Sequence, residues 1–155
     1  MAKNIPERFK NLEVVDITAR GKGVVKTDEG KVIFVSGVIP GDKISVETFK
    51  KRRGCFEANL IEINVPSPNR VVPECEHFGI CGGCKWQNMD YEAQLRFKQK
   101  EILHNLKNLS GMSLPPIETI EGASQVYFYR NKMEYAFSNK RWLTEEEIAD
   151  QSITV

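Results

Sequence analysis

Lys31-Val-Ile-Phe-Val35, Pro40-Gly-Asp42 and Lys43-Ile-Ser-Val-Glu47 follow one another closely, and their order decides how the first part of the chain folds. The first stretch is a compact apolar strand introduced by the turn signal Asp28-Glu-Gly30. Pro40 presets φ for the first central position of a turn and Gly41 accepts a positive φ at the second. The third stretch alternates polar and apolar residues, as does Glu57-Ala-Asn-Leu-Ile-Glu-Ile63 further on. Upstream, the β-branched run Leu12-Glu-Val-Val-Asp-Ile17 is broken by Gly21-Lys-Gly23. Four or five short strands at near-regular spacing, with no helical pattern between them, predict a small closed or nearly closed β-barrel over residues 1–65.

Pro66, Pro68 and Pro73 then crowd a segment in which neither a central strand nor a helix interior can persist. A domain junction is expected at about residue 66, with a second unit over 66–155. A cysteine-rich loop occupies 75–84, and one clear helix follows it. Asp90 can cap that helix, and Tyr91, Leu95, Ile102, Leu106 and Leu109 form one apolar stripe. Arg96, Lys100 and Lys107 fall on the opposite face; Lys98 projects into the stripe, where the sequence offers no reason for it. Ser110-Gly111 and Pro115-Pro116 end the helix. Tyr127-Phe-Tyr-Arg-Asn-Lys-Met-Glu-Tyr-Ala-Phe137 alternates aromatic with polar side chains and predicts a half-buried strand; Thr144-Glu-Glu-Glu147 has the spacing of a helix start.

Composition narrows the function classes. With 41% hydrophobic and 28% charged residues the chain can bury a core, which excludes a disordered or collagen-like protein. A formal net charge of +1 excludes a strongly basic nucleic-acid scaffold, so an anionic partner would be met by local patches. Residues 1–65 carry 12 basic against 9 acidic side chains, and residues 66–155 carry 10 against 12, so the positive surplus lies in the first unit. No run approaches the apolar length of a membrane span and the charged N-terminus lacks a secretory signal, which predicts a cytoplasmic protein with reduced thiols, expected as a monomer.

Reduced thiols matter because Cys75-Glu-His-Phe-Gly-Ile-Cys81-Gly-Gly-Cys84 packs three cysteines into one loop. Thiolates suit soft metals and iron–sulfur clusters. The Cys81–Cys84 spacing lets two sulfurs reach one centre from a single turn, and Gly82-Gly83 frees backbone N–H groups to point at sulfides. An iron–sulfur cluster, a structural zinc and incidental thiols are the readings open here, although zinc favours two short-spaced pairs and only one is present. His77 and Cys55 are further candidates; a loop histidine is more often solvated, and Cys55 lies in a strand pattern as a small hydrophobe. For RNA, the candidates are Lys50, Lys51, Arg52 and Arg53 at the tip between two strands, Lys22 in a neighbouring turn, and Arg130 and Lys132 beside the late aromatics.

These residues resemble a family. The chain is similar to the N-terminal part of bacterial RNA uracil-5 methyltransferases of the type that modifies 23S ribosomal RNA. Residues 9–65 resemble a TRAM domain through Gly21-Lys-Gly-Val24, Phe34-Val-Ser-Gly37, Pro40-Gly-Asp42, the basic run at 50–53 and Ala58-Asn-Leu-Ile-Glu-Ile63. Cys75-x5-Cys81-Gly-Gly-Cys84, Trp86-Gln87, Tyr91-Glu-Ala-Gln-Leu95 and Tyr129-Arg-Asn-Lys132 are similar to the family's cluster motif, its flank and its central-domain signature. The resemblance implies an α+β chain: a small OB-like barrel that binds RNA, then a small mixed α/β domain with an iron–sulfur loop. It implies a [4Fe–4S] cluster on Cys75, Cys81, Cys84 and a fourth cysteine outside these residues. It also implies 23S rRNA as partner and S-adenosylmethionine as methyl donor, bound by an α/β domain that this sequence lacks. The chain therefore reads as a truncated piece, with neither catalytic nor cofactor-binding residues of its own; a stand-alone RNA-binding module with a structural metal is the alternative.

Overall fold

The computed structural model describes residues 6–52, 54–110 and 115–129, together with Phe137, Asn139, Lys140, Leu143, Glu147 and Asp150. Five strands come first: β1 (Arg8–Ile17), β2 (Gly23–Lys26), β3 (Val32–Val35), β4 (Lys43–Arg52) and β5 (Cys55–Val65). They close into a barrel in the order β1-β2-β3-β5-β4, with β4 returning to β1. All neighbours are antiparallel except β3 and β5, which run parallel with Ile33 opposite Phe56. Closure abolishes free sheet edges, and shifts in the β4–β5 and β1–β4 registers let these long strands bend around the core. The expected small OB-like barrel is thus present.

Strand alternation explains the interior. Val25 on β2, Ile33 and Val35 on β3, Ile44 and Val46 on β4, and Phe56 and Ala58 on β5 meet Val14 and Val38 in one buried cluster. Gly23 has no room for a side chain: a Cβ there would lie 2.4 Å from Val38 Cγ2 and 2.9 Å from Val14 Cγ1. The Pro40-Gly41 turn forms as expected, with Gly41 at φ 90° and the Asp42 N–H donating to the Ile39 carbonyl at 3.1 Å.

Asp42 does more than end that turn. Its carboxylate has no solvent exposure, yet it accepts the N–H groups of Ile39 and Ser67, each at 2.8 Å. The Arg70 guanidinium completes the set through Nε at 3.1 Å and through NH2, which also donates to the Gly37 carbonyl. A barrel turn and the proline-rich segment after β5 are therefore joined through one side chain. Arg70 also bridges Met89 across the chain, and Ile17, Ile39, Met89 and Ala93 form a second buried cluster edged by Trp86 and Phe97.

Helix α1 (Tyr91–Ser110) begins where expected, with Asp90 Oδ1 accepting the Ala93 N–H at 2.9 Å. The face it turns to the barrel differs from the expected stripe. Ala93 and Phe97 pack on the barrel, and Lys100 Nζ meets Asp16 Oδ2 at 2.6 Å. Ile102 and Leu106 stay 51% and 40% exposed. The small Ala93 lets the helix approach Ile17 and Ile39, and the Asp16 carboxylate draws one cation of the supposed solvent face inward. The neighbouring face is strapped by residues 115–123: Gln99 pairs with the Ile120 N–H and the Glu118 carbonyl, and the Tyr91 hydroxyl accepts the Ala123 N–H at 2.7 Å. Lys98, unexplained by the sequence, places its ammonium 6.0 Å from the Trp86 ring centre.

Tyr127–Tyr129 do not form the start of the expected strand. Phe128 adopts φ 56°, which breaks an extended run, and its side chain is 98% exposed. The remainder of that expectation, at 130–136, lies outside the described residues, as do most positions of the expected helix start at 144–147.

Candidate metal loop and nucleic-acid interface

The cysteine loop follows the Arg70 tether. Backbone turns Phe78 N–H to Cys75 O at 3.0 Å and Ile80 N–H to His77 O at 3.1 Å wind it tightly. Gly79 and Gly82 take φ 86° and 72°, values that side chains resist. All three thiols are free, with Cys75 half-buried and Cys81 and Cys84 exposed. Gln87 links the two ends of the motif: its Oε1 accepts the Cys75 N–H at 3.2 Å and its Nε2 donates to Cys84 Sγ at 3.2 Å. Among the described residues no three His, Cys, Asp or Glu side chains converge as a metal-binding group. The donor set nevertheless fits a soft-metal cluster in its chemistry: reduced thiols on one exposed, glycine-rich turn, with an amide already aimed at a sulfur. His77 is solvent-facing and 3.8 Å from Glu76, while Cys55 opens β5 opposite Val32 and Arg52, inside the sheet.

The basic run lies differently from the expectation. Strand β4 continues through Arg52 and β5 starts at Cys55, so Lys50, Lys51 and Arg52 are strand residues; Gly54, just before β5, takes φ 82°. Lys50 and Lys51 stand exposed opposite Glu57 and Phe56, and the Lys51 ammonium sits 5.2 Å from the Phe56 ring centre. Arg53, Arg130 and Lys132 lie outside the described residues. Lys22, in the β1–β2 loop, is drawn to Glu57 at 3.5 Å. Lys31 is also tied down, to Glu7 at 2.6 Å and Glu29 at 3.3 Å; its hydrogen bond to Glu7, then that to Glu29, raises its pKa above the ordinary value.

Sequence reasoning missed two features. One is the Asp42–Arg70 tether, whose only sequence signal is an acid directly after a Pro-Gly turn. The other is a groove between the barrel and α1, with Phe34 on its barrel wall and Arg20 at its loop end. Phe34 sits between the buried Ile33 and Val35, so a period-two reading of β3 is the signal that could have found it.

No family model matches the chain. Among curated proteins it is 44% identical over 132 residues to a protein of Bacteroides thetaiotaomicron named as an uncharacterized RNA methyltransferase, covering 85% of this chain and 29% of that protein. A similarly named protein of Porphyromonas gingivalis is 40% identical over 139 residues, covering 90% of this chain and 30% of its own length. The 23S rRNA (uracil(1939)-C(5))-methyltransferase RlmD of Cupriavidus necator is 37% identical over 127 residues, covering 79% of this chain and 29% of the enzyme. The chain thus spans under a third of the length of the relatives it matches.

Proposed function

We propose that this chain is the RNA-binding, iron–sulfur region of an S-adenosylmethionine-dependent RNA uracil-5 methyltransferase acting on 23S rRNA. The observation that carries the reading is the similarity to RNA methyltransferases along 79–90% of the chain. The closed five-strand barrel supports it, because small barrels of this type bind single-stranded nucleic acid through their loops and the face of strands 2 and 3.

In this reading the two units divide the work. Residues 1–65 meet RNA through exposed cations, Lys50 and Lys51 foremost, with Lys22 released from Glu57 where a phosphate competes for it. Residues 66–155 hold a [4Fe–4S] cluster through the thiolates of Cys75, Cys81 and Cys84 and a fourth cysteine elsewhere in the protein. Such a cluster supplies a rigid cross-link for the loop, or electron-transfer chemistry. Arg130 and Lys132 are proposed as further phosphate contacts. The methyl donor belongs to an α/β sheet with a site at its strand ends, and the described residues form no such sheet. Among the described residues no helix is long and apolar enough to cross a membrane.

The test uses the full-length protein with S-adenosylmethionine and unmodified 23S rRNA, followed by nucleoside mass analysis. Formation of 5-methyluridine at a single position is the expected result. Methylation of a different base, or of protein alone, overturns the reading.

A further inference from the structure

Between the outer face of the barrel and helix α1 lies a groove of about 1030 Å³, lined from one side by Val24 and Phe34 and from the other by Leu103 and Lys107. Strands 2 and 3 contribute to its barrel side, and Arg20 and Lys22 of the β1–β2 loop line it as well. Ile33 and Val35 fill the core, so Phe34 between them points outward, level with Val24 on β2 and Glu57 on β5. The barrel needs no aromatic there for its own packing; a half-buried ring on a groove floor offers a face to a planar ligand.

The charges lining the groove favour an anion. Five basic side chains line it against three acidic ones. Lys22 is paired with Glu57 and Lys100 with Asp16, whereas Arg20 and Lys107, both exposed, form no ion pair among the described residues. Two exposed cations and an outward-facing aromatic along one groove are the parts that a single strand requires: phosphates on the cations, a base on the ring. Duplex RNA keeps its base faces stacked and would leave the ring unused.

We propose that this groove holds single-stranded RNA, with a base stacked on Phe34 and the flanking phosphates on Arg20 and Lys107, so that α1 is one wall of the RNA site and not only a brace for the barrel. The inference rests on the RNA-binding reading above. It relocates the main contact from the 50–53 tip to the groove.

The test is fluorescence anisotropy of this chain with fluorescein-labelled decauridylate over a salt series. Phe34→Leu keeps apolar bulk but removes the π-face and should weaken binding about tenfold, as loss of one stacked base predicts, whereas Phe34→Trp should retain affinity. Arg20→Ala with Lys107→Ala should lower the salt slope by about 1.4, two single-strand phosphates at about 0.7 each. Both positions are exposed, so the double variant tests the groove even if Phe34→Leu lowers stability in a circular-dichroism melt. Binding that survives the groove variants but is lost when residues 50–53 become alanine overturns the groove alone. Failure of the unaltered chain to bind decauridylate overturns both this inference and the RNA-binding reading. Methyl transfer by the full-length protein without any binding by the groove would overturn this inference and leave the methyltransferase assignment standing.

Discussion

Replacing Asp42 by Asn should be among the most damaging single changes in the barrel. The carboxylate is fully buried and accepts four N–H donors: two from the backbone, at Ile39 and Ser67, and two from Arg70. Asparagine keeps one acceptor oxygen and presents an NH2 where an oxygen stood, so a donor faces a donor and the guanidinium loses its counter-charge. Breaking a buried pair from one side costs about 3–5 kcal/mol, a large share of the roughly 5–15 kcal/mol that holds a domain together. With a urea slope near 2 kcal/mol/M, the midpoint should fall by about 2 M. Urea titration followed by far-ultraviolet circular dichroism and by tryptophan fluorescence measures it, because Trp86, one of two tryptophans, borders the cluster that joins barrel and helix. Asp42→Ala should cost at least as much, since it leaves the Ile39 and Ser67 N–H groups without their side-chain acceptor. Arg70→Met breaks the same pair from the other side and should cost a comparable amount, because it leaves the fully buried Asp42 carboxylate without its counter-charge. A midpoint shift below about 0.5 M for Asp42→Asn, or for Arg70→Met, would refute the idea that this buried pair is the joint.

The remaining predictions concern charge, metal and activity. Lys31 has a raised pKa in the folded state through Glu7 and Glu29, so its contribution is fully present at neutral pH and is lost only as pH rises through that raised value. Thermal melts across the alkaline range should show a small, salt-sensitive step that Lys31→Met removes, and a step at acid pH that vanishes in the same variant would reverse the assignment. Anaerobically purified full-length protein should be brown, with about four irons and four sulfides per chain, and Cys81→Ser should abolish the visible band; one tight zinc without iron would eliminate the cluster. The present chain should transfer no labelled methyl group from S-adenosylmethionine to ribosomal RNA, because Cys55 is a strand residue and the other cysteines belong to the loop. Activity that disappears in Cys55→Ala would show that the roles of the cysteines are wrongly divided.

The barrel was legible because its signals are local. Alternation in Lys43–Glu47 and Glu57–Ile63, and the Pro40-Gly41 turn, fix strand faces and reversals within a few residues. The extent of the strands was less so: nothing in Lys50-Lys-Arg52 announces that cations continue β4 as far as Arg52. Helix α1 was legible in its bounds, through Asp90 and Ser110, but not in its orientation. Which face docks depends on Ala93 and Lys100 finding Ile39 and Asp16, partners distant in sequence. The Asp42–Arg70 tether spans 28 residues for the same reason. The cysteine loop stands out in the sequence by its spacing, whereas the groove exists only once α1 lies beside β2 and β3.

Barrel closure carries a kinetic consequence. Strand β3 finds its second neighbour in β5, and β1 finds its second neighbour in β4, so β3 keeps a bare edge until residues 55–58 exist to pair with it. A chain of which only residues up to Arg52 are free to fold is an open sheet with apolar Ile33 and Val35 uncovered, a species prone to pairing with other chains. Synthesis of the last strand then completes two ladders at once, antiparallel to β4 and parallel to β3, which makes folding all-or-none and late. A chain truncated after Arg52 should therefore aggregate more readily than one truncated after Val65, as light scattering on the two released polypeptides would show.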